Sequence, residues 1–467
     1  MGELVVTAPM ARVAEPVSDP VRELSLFASL PNRGVFIPRH VSGKNRTPSK
    51  AAAIRSTLSF REPARSATRV LIDTGLEPAA AKLQDREKAT GIFKNLDMLG
   101  VAAAAFRDAG ELEKAKAELE QDYEFVPDFA LRLPDPLPRI SARLTGPDAQ
   151  DKLASSHWPE NSGVAEAHDG GIRGKGVLVG ALDTGVDSGH QEFQGRDIDF
   201  RYVSFYPNSP SWPSRDVFGF DTDSHGTHVS GIISGTARGI APDAQLHVAS
   251  VIESETTLTS LSRVISGLDW LLRKFAEDKN KDLPAVINLS LGFPSAATPD
   301  ISRADYETRI RAIRYIVDDL LDANVLTIAA IGNSGEDTFG YPGGFGQTLG
   351  VGAIDFNHNV ASFSGNRRPV AGPIEAEKPD LVGYGVDVYS CIERDCAGRS
   401  FYSQMSGTSM ASPYVTGIAA LYRCANPRLD ARTVRQKMLD TCLPLPGQPR
   451  HRVGAGLARF VAADGTV

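Results

Sequence analysis

Cysteine is scarce in this chain, four in 467 residues, and no apolar run approaches the roughly 20 residues a membrane-spanning helix needs. A membrane span is therefore not expected. The cysteines leave two readings open. Cys391 and Cys396 are close enough to close a small loop, yet Cys391, Cys396, Cys424 and Cys442 suit a reducing cytoplasm equally well. Positive charge is not in excess: 50 Lys and Arg against 57 Asp and Glu give a formal net charge of -7, which argues against a dedicated nucleic-acid binder. Met1-Gly2-Glu3-Leu4-Val5-Val6-Thr7-Ala8-Pro9 lacks the basic stretch, apolar core and small-residue cleavage site of a secretory signal. A cytoplasmic location is expected on that ground, with export by an unmarked route as the alternative.

A hydrophobic content of 42% over this length supports a large core and more than one domain. Residues 1–68 carry ten Lys or Arg against five Asp or Glu, are rich in Ser, Pro and Ala, and show little periodicity; they read as a partly disordered leader. From Arg69 the texture changes. Residues 69–75 are strand-like, 77–87 helix-like, 91–102 two short strands, 111–120 strongly helical and 123–128 a last strand, so 69–133 reads as a small α+β domain. A Pro-rich linker follows over 134–156, and 157–467 form the largest unit. There, strand-like runs at 177–182, 245–251, 284–291, 325–331 and 349–354 alternate with helical apolar stripes such as Leu261, Val264, Ile265, Leu268, Leu271, Leu272 and Phe275. Such alternation predicts a three-layer α/β unit: a mostly parallel sheet with helices on both faces and functional residues at the carboxyl ends of its strands.

Four segments of that unit carry chemistry. Gly407-Thr408-Ser409-Met410-Ala411-Ser412-Pro413 places a serine at the first turn of a helix among small neighbours. Val177–Val186 reads as a buried strand ending on Asp183, and Asp223-Ser224-His225-Gly226-Thr227-His228 sets a histidine at a helix start. Val325–Gly335 is an apolar β-rich run that ends in Gly332-Asn333.

In the order Asp, His, Ser, these segments resemble the subtilisin-like serine proteases, over about residues 155–460. The resemblance implies a serine endopeptidase in which Ser409 is the nucleophile, His225 the general base and then acid, and Asp183 the carboxylate that orients the imidazole. A serine hydroxyl needs such a base because it is a weak nucleophile on its own. Asn333 falls on the family's oxyanion-hole asparagine. Ser290-Leu291-Gly292 resembles the wall of its first specificity pocket, where an extended protein or peptide substrate pairs with a strand edge, and Gly340-Tyr341-Pro342-Gly343 matches a turn on the far side. The order of elements in 69–133 is similar to the family's ferredoxin-like inhibitory propeptide, which makes the chain's own N-terminal region an expected intramolecular inhibitor and the protein a self-processing zymogen. Alternatives are a peptide-binding pseudoprotease and a protease-derived effector kept silent by its N-terminal region.

No cofactor is expected. Many family members bind calcium tightly through an insertion after the catalytic histidine, but Ser230–Pro242 runs on without one; weak calcium binding by isolated acids such as Asp187, Asp221 or Asp223 is the alternative to their default reading as solvated surface carboxylates. His228, three residues after His225, lacks the four-residue spacing and adjacent Glu of a zinc-protease helix and reads as structural, as does His190.

Overall fold

The computed structural model describes residues 32–38, 93–96, 98–106, 108–131, 133–134, 137, 142–204, 215–254, 259–294, 302–367 and 377–462. An antiparallel sheet of β1 (Arg33–Pro38), β2 (Phe93–Leu96), β3 (Val101–Ala105) and β4 (Tyr123–Pro127), ordered β2-β3-β1-β4, opens the fold. Between β3 and β4 runs α1 (Ala109–Leu119), capped by Asp108, whose carboxylate accepts the Glu111 N–H at 2.9 Å. Its buried Leu112, Ala115 and Leu119 lie at helical spacing, and Ala115 and Leu119 pack on Phe36, Ala102 and Ala104 of the sheet.

The expected first strand at 69–75 and helix at 77–87 lie outside the described residues. An inner strand of the sheet is Arg33–Pro38, which belongs to the segment expected as a leader, so the α+β unit includes residues that precede the expected start at 69. Its apolar run is only Val35-Phe36-Ile37, diluted by the polar composition around it. The preceding Gly34 suggests a turn, yet it serves close strand approach: a methyl group there would lie 2.3 Å from the Val126 carbonyl oxygen.

The large unit is built on β5 (Leu178–Asp183), β6 (Asp199–Tyr202), β7 (Arg215–Asp216), β8 (Gln245–Ser250), β9 (Ala285–Leu289), β10 (Val325–Ala330), β11 (Leu349–Ile354) and β12 (Leu381–Tyr384). Their order is β12-β11-β10-β9-β5-β8-β6-β7, parallel throughout except for the β6–β7 edge pair. The inner strands are buried along their whole length, as parallel strands covered on both faces must be. Around them lie α2 (Gly146–Ser155), α3 (His225–Ser234), α4 (Leu261–Phe275), α5 (Arg303–Asp322) and α6 (Thr408–Ala425). Alternate residues of β5 part between two cores: Val179 and Ala181 join the one that holds α3 and α6, Leu178 and Leu182 the one that holds α4 and α5. This is the three-layer α/β arrangement the alternating pattern predicts.

The stretch expected as linker is partly structured. α2 buries Ala149 and Leu153 in the α3/α6 core, and Leu144 just before it exchanges backbone hydrogen bonds with Tyr402 at 2.8 Å. The N-terminal sheet docks on the opposite layer. Val35, Ile37, Val101, Ala103 and Val126 share one core with Val264, Leu268, Ile313 and Ile316. At the edge of this contact Arg33 pairs with Asp128 at 3.0 Å, both side chains buried. The Asp128 carboxylate accepts the Ser262 N–H at 3.0 Å and the Phe129 carbonyl accepts the Leu261 N–H at 3.0 Å. Two of the free N–H groups that open α4, those of Leu261 and Ser262, are thus satisfied by the N-terminal domain, and the Arg263 N–H is capped by Ser260. Ala130–Leu131 then pairs antiparallel with Thr259–Ser260.

Candidate active site

Asp183 is the last residue of β5 and His225 the first of α3. A carboxylate oxygen of Asp183, Oδ1, faces His225 Nδ1 at 2.7 Å and also accepts the Thr184 N–H at 2.7 Å. Both side chains are buried. The elements can meet this closely because glycines line the crossing: a methyl group at Gly226 would stand 2.1 Å from the Gly185 carbonyl oxygen. Ser224, which leads into the helix, holds a left-handed φ of 68°, a conformation that costs a non-glycine residue on the order of 1–3 kcal/mol.

Ser409 is the second residue of α6, a helix packed against α3. At that position its N–H has no partner inside the helix, and the positive end of the helix dipole lies beneath it. Pro413, four residues on, has no N–H for the Ser409 carbonyl. Ser290 supplies the donor instead, its Oγ lying 3.3 Å from that carbonyl oxygen. Ser290 is itself held by Asn288, whose Nδ2 donates to it at 3.0 Å and whose Oδ1 accepts from Ser412 at 2.8 Å and Thr416 at 3.0 Å. The segment Ser290-Leu291-Gly292 is in this way tied to the helix that carries Ser409. Phe293–Pro294 pairs antiparallel with Gly340–Tyr341 across the way.

Asn333 follows β10 by three residues. Its Oδ1 accepts from the Thr408 N–H at 2.9 Å and from Thr408 Oγ1 at 2.8 Å. Because a backbone N–H can only donate, the atom facing it is the amide oxygen, and the Asn333 NH2 group is left on the side of Gly407.

The structure brings all seven expected site residues to the carboxyl-end rim of the sheet, in three pieces: Asp183 with His225, Ser409 with Ser290-Leu291-Gly292, and Asn333 with Thr408. His228 and His190 play structural parts. His228 Nε2 lies 3.0 Å and 3.2 Å from the Val388 and Ser403 carbonyl oxygens. Burial pushes the His190 pKa down to about 4, in keeping with a neutral ring that accepts the Glu192 N–H at Nδ1 and meets the Phe401 carbonyl at Nε2.

Two of the expected surface carboxylates are not solvated. Asp187 is buried, and although burial alone would raise its pKa, the bonds and charge of Arg394 hold it below the usual range. Asp221 is half-buried with both oxygens engaged, and desolvation pushes its pKa up against the pull of its hydrogen bonds. The segment after α3 is fastened by protein groups: Glu192 accepts the Ala237 N–H at 2.8 Å, and Trp158 Nε1 donates to the Arg238 carbonyl at 2.8 Å.

Sequence reasoning passed over Thr184, Thr408 and Asn288. Asn288 left a signal, since one amide in the buried run Val286-Ile287-Asn288-Leu289 must find partners. Thr184 and Thr408 left only their places beside Asp183 and Ser409.

A parallel-sheet α/β fold with an acid closing one strand, a histidine opening one helix and a serine opening its neighbour defines the class of serine-type endopeptidases built on such a sheet. The chain belongs to the subtilase family, whose profile matches residues 174–456. It is 46% identical over 427 residues to the subtilisin-like protease PopC of Myxococcus xanthus, covering 90% of this chain and 86% of that one. To subtilisin DY of Bacillus licheniformis it is 32% identical over 302 residues, 63% of this chain and 92% of the relative. To M-protease of Shouchella clausii it is 30% identical over 366 residues, 76% and 83% respectively.

Proposed function

We propose that this protease hydrolyses peptide bonds through an acyl-enzyme formed on Ser409. His225 takes the hydroxyl proton and later gives it to the leaving amine, and Asp183 holds the imidazole with Nδ1 protonated. Asn333 Nδ2 and the Ser409 N–H receive the oxyanion, and Ser290-Leu291-Gly292 receives the substrate as an added strand. The observation that carries this reading is the 2.7 Å contact of Asp183 Oδ1 with His225 Nδ1, at the start of a helix packed against the Ser409 helix. A fluorophosphonate probe tests it, since only an activated serine is phosphonylated. Wild-type protein should be labelled and Ser409→Ala should not; equal labelling of the two would remove Ser409 from the role.

The N-terminal sheet is, on the same reading, an inhibitory propeptide, and the protein is made as a self-processing zymogen without a calcium requirement. The docked Ala130–Leu131 strand supports this: it pairs with Thr259–Ser260, and Phe129 just before it lies against Phe293, the residue that follows Ser290-Leu291-Gly292, with ring centroids 5.1 Å apart. Tethering gives the first cleavage a high effective concentration. Wild type should therefore shorten at a rate independent of its own concentration and unaffected by a chelator, while Ser409→Ala stays full length. A wild-type protein that remains full length yet cleaves peptides would sink the zymogen reading and leave the protease standing. A rate that a chelator lowers and calcium restores would reveal a metal site.

A further inference from the structure

We infer that Asp221 is a positioning residue for the reaction: its carboxylate ties the strand end that carries Asp183 to the helix start that carries His225, and so sets the contact between them. The inference rests on the catalytic reading of Asp183, His225 and Ser409 and extends it by one residue.

Asp221 precedes His225 by four residues, in a segment bridged back to Gly185. Its Oδ1 accepts from Thr184 Oγ1 at 2.7 Å and from the Asp223 N–H at 3.1 Å. Its Oδ2 accepts from the Thr227 N–H and from Thr227 Oγ1, both at 2.6 Å. Thr184 directly follows Asp183, and Thr227 lies in the first turn of α3. One carboxylate therefore grips both elements. Thr184 Oγ1 adds a third stitch by accepting the Gly226 N–H at 2.9 Å.

The Thr184 hydroxyl has one proton and two carboxylates within reach. Asp221 Oδ1 stands at 2.7 Å and Asp183 Oδ1 at 3.4 Å, so the proton goes to Asp221. That choice matters for chemistry, because Asp183 Oδ1 is the atom that holds His225 Nδ1. With Asp221 gone, the hydroxyl is free to turn to Asp183 and compete with the imidazole for the same oxygen. A carboxylate is also the group this place requires. Each of its oxygens receives one backbone N–H, from Asp223 or from Thr227, so an asparagine amide in either orientation aims its NH2 at a group that can only donate. Misplacing a catalytic group by about 1 Å costs on the order of a hundredfold in rate.

The test uses the full chain as Asp221→Asn and Thr184→Val. It reads kcat and KM separately, thermal unfolding, and, in the Ser409→Ala background, the low-field proton resonance of the His225 Nδ1–H. The inference expects kcat to fall about tenfold to a hundredfold in both variants with KM within about threefold, and the resonance to move. A residue that only braces the fold would change the unfolding temperature and leave that resonance in place. If Asp221→Asn does not fold, Thr184→Val, close in size and lacking only the hydroxyl, carries the test. With wild type labelled and active, a kcat within threefold of it in the folded variants overturns the inference, and so does an unmoved resonance. An inactive, unlabelled wild type removes the catalytic reading itself and this inference with it.

Discussion

Ser409→Ala should lower kcat about a millionfold, and His225→Ala by about as much, with the double variant no worse than either; the size of the loss is the one subtilisin itself sets for this family. About 8 kcal/mol of barrier is at stake. The two substitutions do not add because the groups act in one step. A hydroxyl without its base is a weak nucleophile, and a base without its hydroxyl has no proton to take. What survives is catalysis from substrate binding and the oxyanion donors alone. Both variants should fold, since alanine at the second position of α6 or the first of α3 respects helix propensity. Turnover of a peptide substrate by wild type, both single variants and the double variant checks this. A double variant a further thousandfold below the singles would mean that Ser409 and His225 work independently and are not nucleophile and base of one reaction.

Much of this site could be read from residue order because its chemistry is concentrated in short segments where strands end or helices begin. A run such as Val177–Leu182 can only be a buried strand or part of a buried helix, and an acid at its end is anomalous enough to be noticed. The supports are different in kind. Asp221 and Thr184 are 37 residues apart in sequence and meet only because a bridge brings Gly185 beside Asp221; as isolated letters they are a surface acid and a turn threonine. Thr408 braces Asn333 across 75 residues. Periodicity also fails where an element is short. β6, β7 and β12 have two to four residues each, too few to show alternation, and β1 is an inner strand of its sheet although its apolar run is only three residues long. α2 is amphipathic enough to bury Ala149 and Leu153, but it follows so many prolines that the whole stretch reads as linker.

Asn333→Ala should lower kcat about a hundredfold to a thousandfold, or roughly 2.7–4 kcal/mol, with KM little changed; the magnitude is that of the matching asparagine in a subtilisin, a member of this family. The structure explains why the effect should fall on kcat. Thr408 holds the amide oxygen of Asn333 through two hydrogen bonds, so the NH2 group is fixed in direction before any charge develops. A donor aimed at the tetrahedral oxyanion gains most when the oxygen becomes negative, and an interaction made only in the transition state shows in kcat. Alanine also leaves the Thr408 N–H without its acceptor, at a cost to stability of about 1–3 kcal/mol, which thermal unfolding would register. Asn333→Asp separates the two effects. Its carboxylate still accepts from Thr408 but sets a second oxygen where the donor stood, so stability should be kept while turnover falls at least as far as in the alanine variant. If Asn333→Asp keeps wild-type kcat, or if the loss in Asn333→Ala lies wholly in KM, Asn333 only buttresses the Ser409 turn and the oxyanion must be held by other groups.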